Sequence, residues 1–403
     1  MLKKTFYILA LLTLCFNLNA QSWLTGWSNR IPIAIENPYF ESAVDYQLRI
    51  EVSHENEMED DFKDLRFTTS DGTTLIDFWV EYYEAGQNAV VWIEVPEIVP
   101  TDTEDYYLYF GNPTAESTSD PYATFLFFDD FDEDTGWNDI GYPPSTFVTT
   151  FDSVSVMNKF DQCNYKGAWK SINDNITSFR MIAREHKPQG GGVPCNSLEY
   201  GLEDVLFNGI NLERHSQGQG QTTDFGVAKR LNITSLILVE TALNQPGDNW
   251  YYTETTYFPG VKNNIAANIR NAEMEMIGGV LGSSLIPHIF DKVTIRGGSP
   301  YYMDYIAVGN YNSIEPVITM DSVEYSCPES ELISFTGDEC EDGLGEIVLG
   351  VSGGVPPYSV TWLIEEDTIG QAIMDTVGIL TIDSLSQGQY CFKIVDSEGC
   401  IEE

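Results

Sequence analysis

The chain has 403 residues, 42% of them hydrophobic and 13% aromatic, enough for two to four folded domains with their own cores. Against 62 Asp and Glu stand 20 Lys and Arg, a formal net charge of −42. That balance excludes nucleic acid as a partner, because such binding rests on Lys and Arg contacts to phosphate, and it disfavours anionic membrane surfaces.

The N-terminus reads MLKKTFYILALLTLCFNLNA. Lys3 and Lys4 supply a basic start, Phe6 to Phe16 an apolar run, and Leu18-Asn19-Ala20 a small-residue cleavage site. Residues 1–20 are therefore expected to be a signal peptide, with Gln21 the first mature residue and the product secreted or held at the cell surface. The apolar run is too short to cross a bilayer, which needs about 20 residues, and no later segment is apolar enough to span. Cys15 leaves with the signal. Six cysteines remain, an even number that favours disulfides in an exported chain, and the lack of a CxxC pair argues against zinc.

Residues 23–124 alternate with period two. Ile31, Ile33 and Ile35 share one face of RIPIAIEN, and Tyr46, Leu48, Ile50 and Val52 one face of DYQLRIEV. The runs DLRFTT, DFWVEYYE, AVVWIEVP and YYLYFGN follow, each bounded by turn residues, which predicts a β-sandwich over 21–124. The pattern W-x-x-R-I-P-I-x-I-x-N with DLRFTTSDGTTLIDFWVE, from Trp27 to Ala115, resembles the family known as domain of unknown function 2341. That family occurs in secreted multidomain bacterial surface proteins and has no assigned chemistry.

AESTSD (115–120) reads as a linker. The next segment, 125–318, is again strand-like and runs from FFDDFDEDTGW to DYIAVGNYNSIEP. Those two ends resemble the first and last strands of the concanavalin A-like lectin/glucanase superfamily, which implies a two-sheet jelly roll. The resemblance also implies a structural Ca²⁺ where the end strands meet, on Asp130 and Asp304, using the hard oxygen ligands that Ca²⁺ takes. An EF-hand is excluded, because Gly136 falls one place late and no Glu occupies the twelfth position.

From 319 to 403 the motifs GG-x-PPY-x-x-x-W, G-x-Y and D-x-x-GC are similar to the SprB-type immunoglobulin-like repeat of adhesins in gliding bacteria. Placing strands of such a sandwich at 328–336, 346–351, 358–362 and 389–395 predicts nested bridges Cys340–Cys391 and Cys327–Cys400. Cys163–Cys195 is the pair left for the middle domain. The same placement leaves this partial immunoglobulin-like domain without its last strand. The fold class expected is all-β, three β-sandwich modules in a row.

Glycoside hydrolases of the lectin-like superfamily carry Glu-x-Asp-x-Glu on one strand, whose alternation puts three carboxylates on one face; retaining chemistry needs two of them about 5 Å apart. Here Glu199-Tyr-Gly-Leu-Glu203 keeps both glutamates, but Gly201 stands where the Asp belongs. Glu273-Met-Glu275 is a weaker pair. Neither a Gly-x-Ser-x-Gly elbow nor a phosphate loop is present. In DNWYYTETTYF, Trp250 and Tyr252 share a face and Tyr251 points away; Trp250, Tyr252 and Tyr257 are the candidate rings for stacking on sugar. The leading expectation is a polysaccharide-binding or adhesion protein. The alternatives are a glycoside hydrolase using Glu199 and Glu203, and a structural surface component without a small ligand.

Overall fold

The computed structural model describes residues 23–402 apart from 134–135, 141–145, 160–165, 188–196, 218–221, 232–233, 244–248, 285–287, 298–301, 337–344, 365–366 and 387. The fold is all-β, built from antiparallel sheets. Its one helix in the described residues, Pro121–Thr124, is a single turn capped by Asp120, whose carboxylate accepts from the backbone of Tyr122 and Ala123. The chain divides into two compact units, one of residues 31–67 and 75–323, the other of 1–30, 68–74 and 324–403.

The first sandwich follows its sequence pattern. Ile31, Ile33 and Ile35 are buried along Asn29–Glu36, and Tyr46, Leu48, Ile50 and Val52 along Ala43–Ser53, facing one core. One sheet runs Ala43–Ser53, Asn88–Ile98, Phe78–Glu84. The other runs Val317–Met320, Asn29–Glu36, Thr103–Phe110, Arg66–Thr69, Leu75–Ile76.

That order departs from a simple row of modules. Val317–Met320 crosses the expected boundary at 318 and pairs antiparallel with Asn29–Glu36, Ile33 opposite Met320. The reason is hydrophobic: Ile318, Met320 and Val323 pack against the first sandwich's core. The jelly roll is therefore inserted into the first sandwich.

The jelly roll stacks two sheets around a core that includes Tyr200, Leu212, Phe225, Tyr257 and Ile295. One sheet, here the docked sheet, has Tyr302–Gly309, Phe179–Lys187 and Asn249–Tyr257 at its centre. The other, the glutamate sheet, runs Thr234–Leu243, Thr222–Leu231, Gly209–Gln217, Ser197–Glu203, Phe290–Gly297, Lys166–Ile176, Asn138–Ile140.

The docked sheet is covered on both faces. Its outward residues Ile182, Tyr252, Tyr305 and Ala307 form a cluster with Trp92 of the first sandwich and with Phe125 and Phe128, against which Trp79 and Tyr82 pack. Trp79 meets Tyr305 edge-on with centroids 5.0 Å apart. A polar seam continues the contact. Arg180 donates to Glu254 at 2.8 Å and to the Gln47 carbonyl at 3.2 Å, and Gln47 Oε1 accepts from the Asn310 backbone at 2.7 Å.

The opening stretch FFDDFD resolves by alternation. Phe127 and Phe131 enter the jelly-roll core, and Phe128 turns to the first sandwich. Buried Asp129 holds Lys170 at 2.6 Å and Trp137 Nε1 at 2.9 Å.

The C-terminal sandwich has one sheet ordered Glu329–Thr336, Gly345–Ser352, Gly378–Leu385 and another ordered Asp367–Met374, Tyr358–Ile364, Tyr390–Val395, Ile401–Glu402. Leu349, Val351, Tyr358, Val360 and Ile394 form its core. The D-x-x-GC motif is a turn: Asp396 accepts from the Cys400 and Val355 backbones, and Gly399 sits at φ +85°, where a side chain is strained. The turn places Cys400 against Cys327, and the two form a disulfide. Ile401–Glu402 adds two residues beside Tyr390–Val395, at the edge expected to be bare.

The expected Cys340–Cys391 bridge is corrected: Cys391 is a free, exposed thiol. It alternates with Phe392 and Ile394, which turn to the core, so its own side chain faces away from that core. Cys340, like Cys163 and Cys195, lies outside the described residues.

Candidate functional site

Glu199 and Glu203 project from the outer face of Ser197–Glu203, as the spacing predicts, but they meet arginine there. Arg230 NH1 contacts both Glu199 carboxylate oxygens at 2.8 Å. Arg296 NH2 donates to Glu203 Oε2 at 2.7 Å, and its NH1 contacts Oε1. Asn211 sits between the glutamates, its Nδ2 2.6 Å from Glu199 and 2.9 Å from Glu203. All five residues are buried, Glu203 at 0% exposure.

Register explains the assembly. Gly201 lies opposite Asn211 on one neighbour and Thr294 on the other, and Glu199 opposite Arg296. A Cβ at 201 would collide with the Ile210 carbonyl and with the Asn211 side-chain oxygen. The missing Asp is thus replaced by an amide from the next strand, for which glycine makes room. Paired carboxylates in glycoside hydrolysis must differ, one protonated as acid and one ionised. Here each carboxylate is instead held by a guanidinium, Glu199 by Arg230 and Glu203 by Arg296. Asn211, Arg230 and Arg296 escaped sequence reading because they come from three other strands. Glu273 and Glu275 flank a turn at Met274 (φ +63°), not a strand.

The three candidate rings are corrected as an exposed sugar platform, because all are buried. Tyr257 is at 0% exposure in the jelly-roll core, between Phe179 and Phe290. Tyr252 faces outward but lies beneath the first sandwich, near Tyr82. Trp250 donates to Asp152 at 3.0 Å and carries Arg184 over its ring at 4.4 Å. The expected parity holds, with Tyr251 in the core. What sequence could not supply was a second layer covering the outward face.

Asp130 and Asp304 come near each other, since Asp129 pairs with Ile306. Each has a protein partner. Tyr122 Oη donates to Asp130 at 2.7 Å, and Arg184 holds Asp304 at 2.7 Å. Burial raises the Asp304 pKa, Arg184 opposes the shift, and Asp130 and Asp132 add to it. Among the described residues no three His, Cys, Asp or Glu gather as a metal cluster. With a guanidinium already on Asp304, these residues do not fit the six to eight oxygens of a Ca²⁺ cage.

At the glutamate end of the sheet, Phe207 occupies the left-handed region at φ +61°, a strained place for an aromatic residue. Its ring lies under two cations, Lys292 at 4.5 Å and Arg296 at 5.6 Å. The turn 204–208 is tied down by this contact and by Asp204, whose Oδ1 accepts from the backbones of Leu206 and Asn208.

Residues 61–141 match the family described as Domain of unknown function (DUF2341). The match starts later than the resemblance from Trp27 and runs past Ala115 into the first jelly-roll strands, whose Phe128 packs with Trp92. An uncharacterized protein of Methanocaldococcus jannaschii is 24% identical over 200 residues, 46% of this chain and 19% of that protein. The chain spans only about a fifth of the length of the curated relative it matches. Among solved structures, the CBM2 module of Lactobacillus casei BL23 phage J-1 evolved Dit has a TM-score of 0.35 at 12% identity, over 47% of this chain and 97% of that one. A glycoside hydrolase family 16 endo-glucanase from Bacteroides ovatus has 0.34 at 11%, over 45% and 99%. The carbohydrate binding module CBM66 from Bacillus subtilis has 0.31 at 9%, over 44% and 96%.

Proposed function

We propose that this chain is an exported, cell-surface glycan-binding protein that acts through its jelly roll and does not cleave what it holds. The observation that carries this reading is the salt-bridged state of Glu199 and Glu203: a lectin-like sheet keeps the positions of a hydrolase's carboxylates but joins them to Arg230 and Arg296. The resemblance of FFDDFD and DYIAVGNY to the lectin/glucanase superfamily supplies the ligand class. Export is supported by the signal-like residues 1–20 and by the Cys327–Cys400 bridge, since disulfides persist in oxidising compartments. The C-terminal sandwich is read as a SprB-type adhesion repeat, in which the turn at Asp396 accounts for the D-x-x-GC motif.

The test is retention of the full chain on insoluble polysaccharides, with reducing ends assayed in parallel. Retention without release is expected. Reducing ends that appear with the wild type and vanish with Glu203→Gln would make it a hydrolase.

A further inference from the structure

Residues at one end of the glutamate sheet line an open, solvent-facing cavity of about 570 Å³. It falls within the roughly 300–1,000 Å³ range of small-ligand sites. Resting on the glycan-binding reading, we propose that this cavity is the saccharide site, and that it takes an uncharged, hydroxyl-rich segment of one or two sugar rings.

The polar lining comes from Asn175, Asp204, Asn208, His288 and Asp291. Carboxylates accept from hydroxyls, and amides both accept and donate, so this set matches a ligand made of O–H groups. Among the described lining residues there is no Lys or Arg, and there are two carboxylates, which disfavours a uronate or sulfated sugar. The chain's net charge of −42 acts in the same direction at long range.

Three further lining residues are aliphatic and face solvent: Val205 (69% exposed), Leu231 (47%) and Ile289 (59%). Side chains of this kind around a polar floor suit a pyranose, whose C–H faces are apolar while its rim is hydroxylated.

His288 is the independent sign of a ligand. It is buried, at 7% exposure, its ring stacks on Phe290, and its Nε2 has no hydrogen-bond partner. Leaving such a buried atom unpaired carries its full desolvation cost, which a ligand hydroxyl would recover. Burial and the charge of Lys229 lower its pKa against the pull of Asp204, which favours the neutral ring, able to accept or donate.

The cavity is also held in place. Asp204, Leu231 and Asp291 directly follow or precede Glu203, Arg230 and Lys292, so the buried ion pairs and the Lys292–Phe207 contact fix the strand ends that carry the lining. The network that silences the carboxylates thereby preorganises a site beside them.

The experiment compares retention of the full chain on laminarin and xylan, both neutral, and on alginate, a polyuronate. Variants are Val205→Trp and Leu231→Arg, at exposed positions where the fold should survive, and His288→Phe, which keeps the ring stack and removes Nε2. Expected are retention on at least one neutral glycan, none on alginate, and a loss of tenfold or more in each variant at unchanged melting temperature. Wild-type retention that the two exposed variants leave intact would overturn this site while sparing the glycan-binding reading. Preference for alginate would overturn the uncharged class. No retention on any of the three would remove the glycan-binding reading itself, and this site with it.

Discussion

The hydroxyl of Tyr305, on the last jelly-roll strand, donates to Glu81 of the first sandwich at 2.5 Å, and Trp92 Nε1 reaches the same carboxylate at 2.8 Å. One acid thus ties together two cores. Burial raises the Glu81 pKa, and the Tyr305 and Trp92 hydrogen bonds only partly oppose it. A raised acid binds more protons in the folded state, so its contribution is greatest below the unfolded pKa, about 4.3, and is lost as pH rises through the folded value. Glu81→Gln should flatten that fall. Urea unfolding from pH 4 to 8 checks it: parallel wild-type and variant curves would refute the shift.

Arg296→Ala should destabilise the jelly roll by about 3–5 kcal/mol, because it leaves Glu203 buried beside an empty position. The same change at an exposed arginine would cost under about 1 kcal/mol. Denaturant midpoints distinguish the two.

Gly201→Asp restores the Glu-x-Asp-x-Glu pattern on paper. It should create no hydrolase, since the new side chain collides with Asn211 and the Ile210 carbonyl. A loss of about 1–3 kcal/mol is expected, with no reducing ends released from any retained glycan.

Calcium should leave the protein's melting temperature where a chelator puts it, since Arg184 is the counter-ion of Asp304. In Arg184→Ala, Asp304 would lose its cation while Asp130 and Asp132 remain near it, and a calcium-dependent rise should then appear. A rise of several degrees in the wild type would show that calcium displaces the guanidinium.

Much of the fold was legible because period-two alternation is local. Ile31, Ile33 and Ile35 point where their spacing says, and Tyr251 separates from Trp250 and Tyr252 as a strand requires. The site was less legible because its parts are brought together by register. Glu199 and Glu203 could be placed on one face, but Arg230 and Arg296 lie 31 and 93 positions from their partners. The aromatic cluster misled for a related reason: alternation says which rings leave the core, but a second sandwich can bury them again.

A ribosome meets this chain in an order that the finished architecture does not follow. Asn29–Glu36 and Thr103–Phe110 emerge early, yet Val317–Met320, which covers the outer edge of Asn29–Glu36, follows roughly 200 residues later. At about 5–20 residues per second, that edge waits some 10–40 seconds for its partner. An uncovered strand edge is a template for other chains. Nascent copies on one messenger are therefore open to mispairing with one another until the jelly roll has been made, and a translational pause within it would lengthen the hazard.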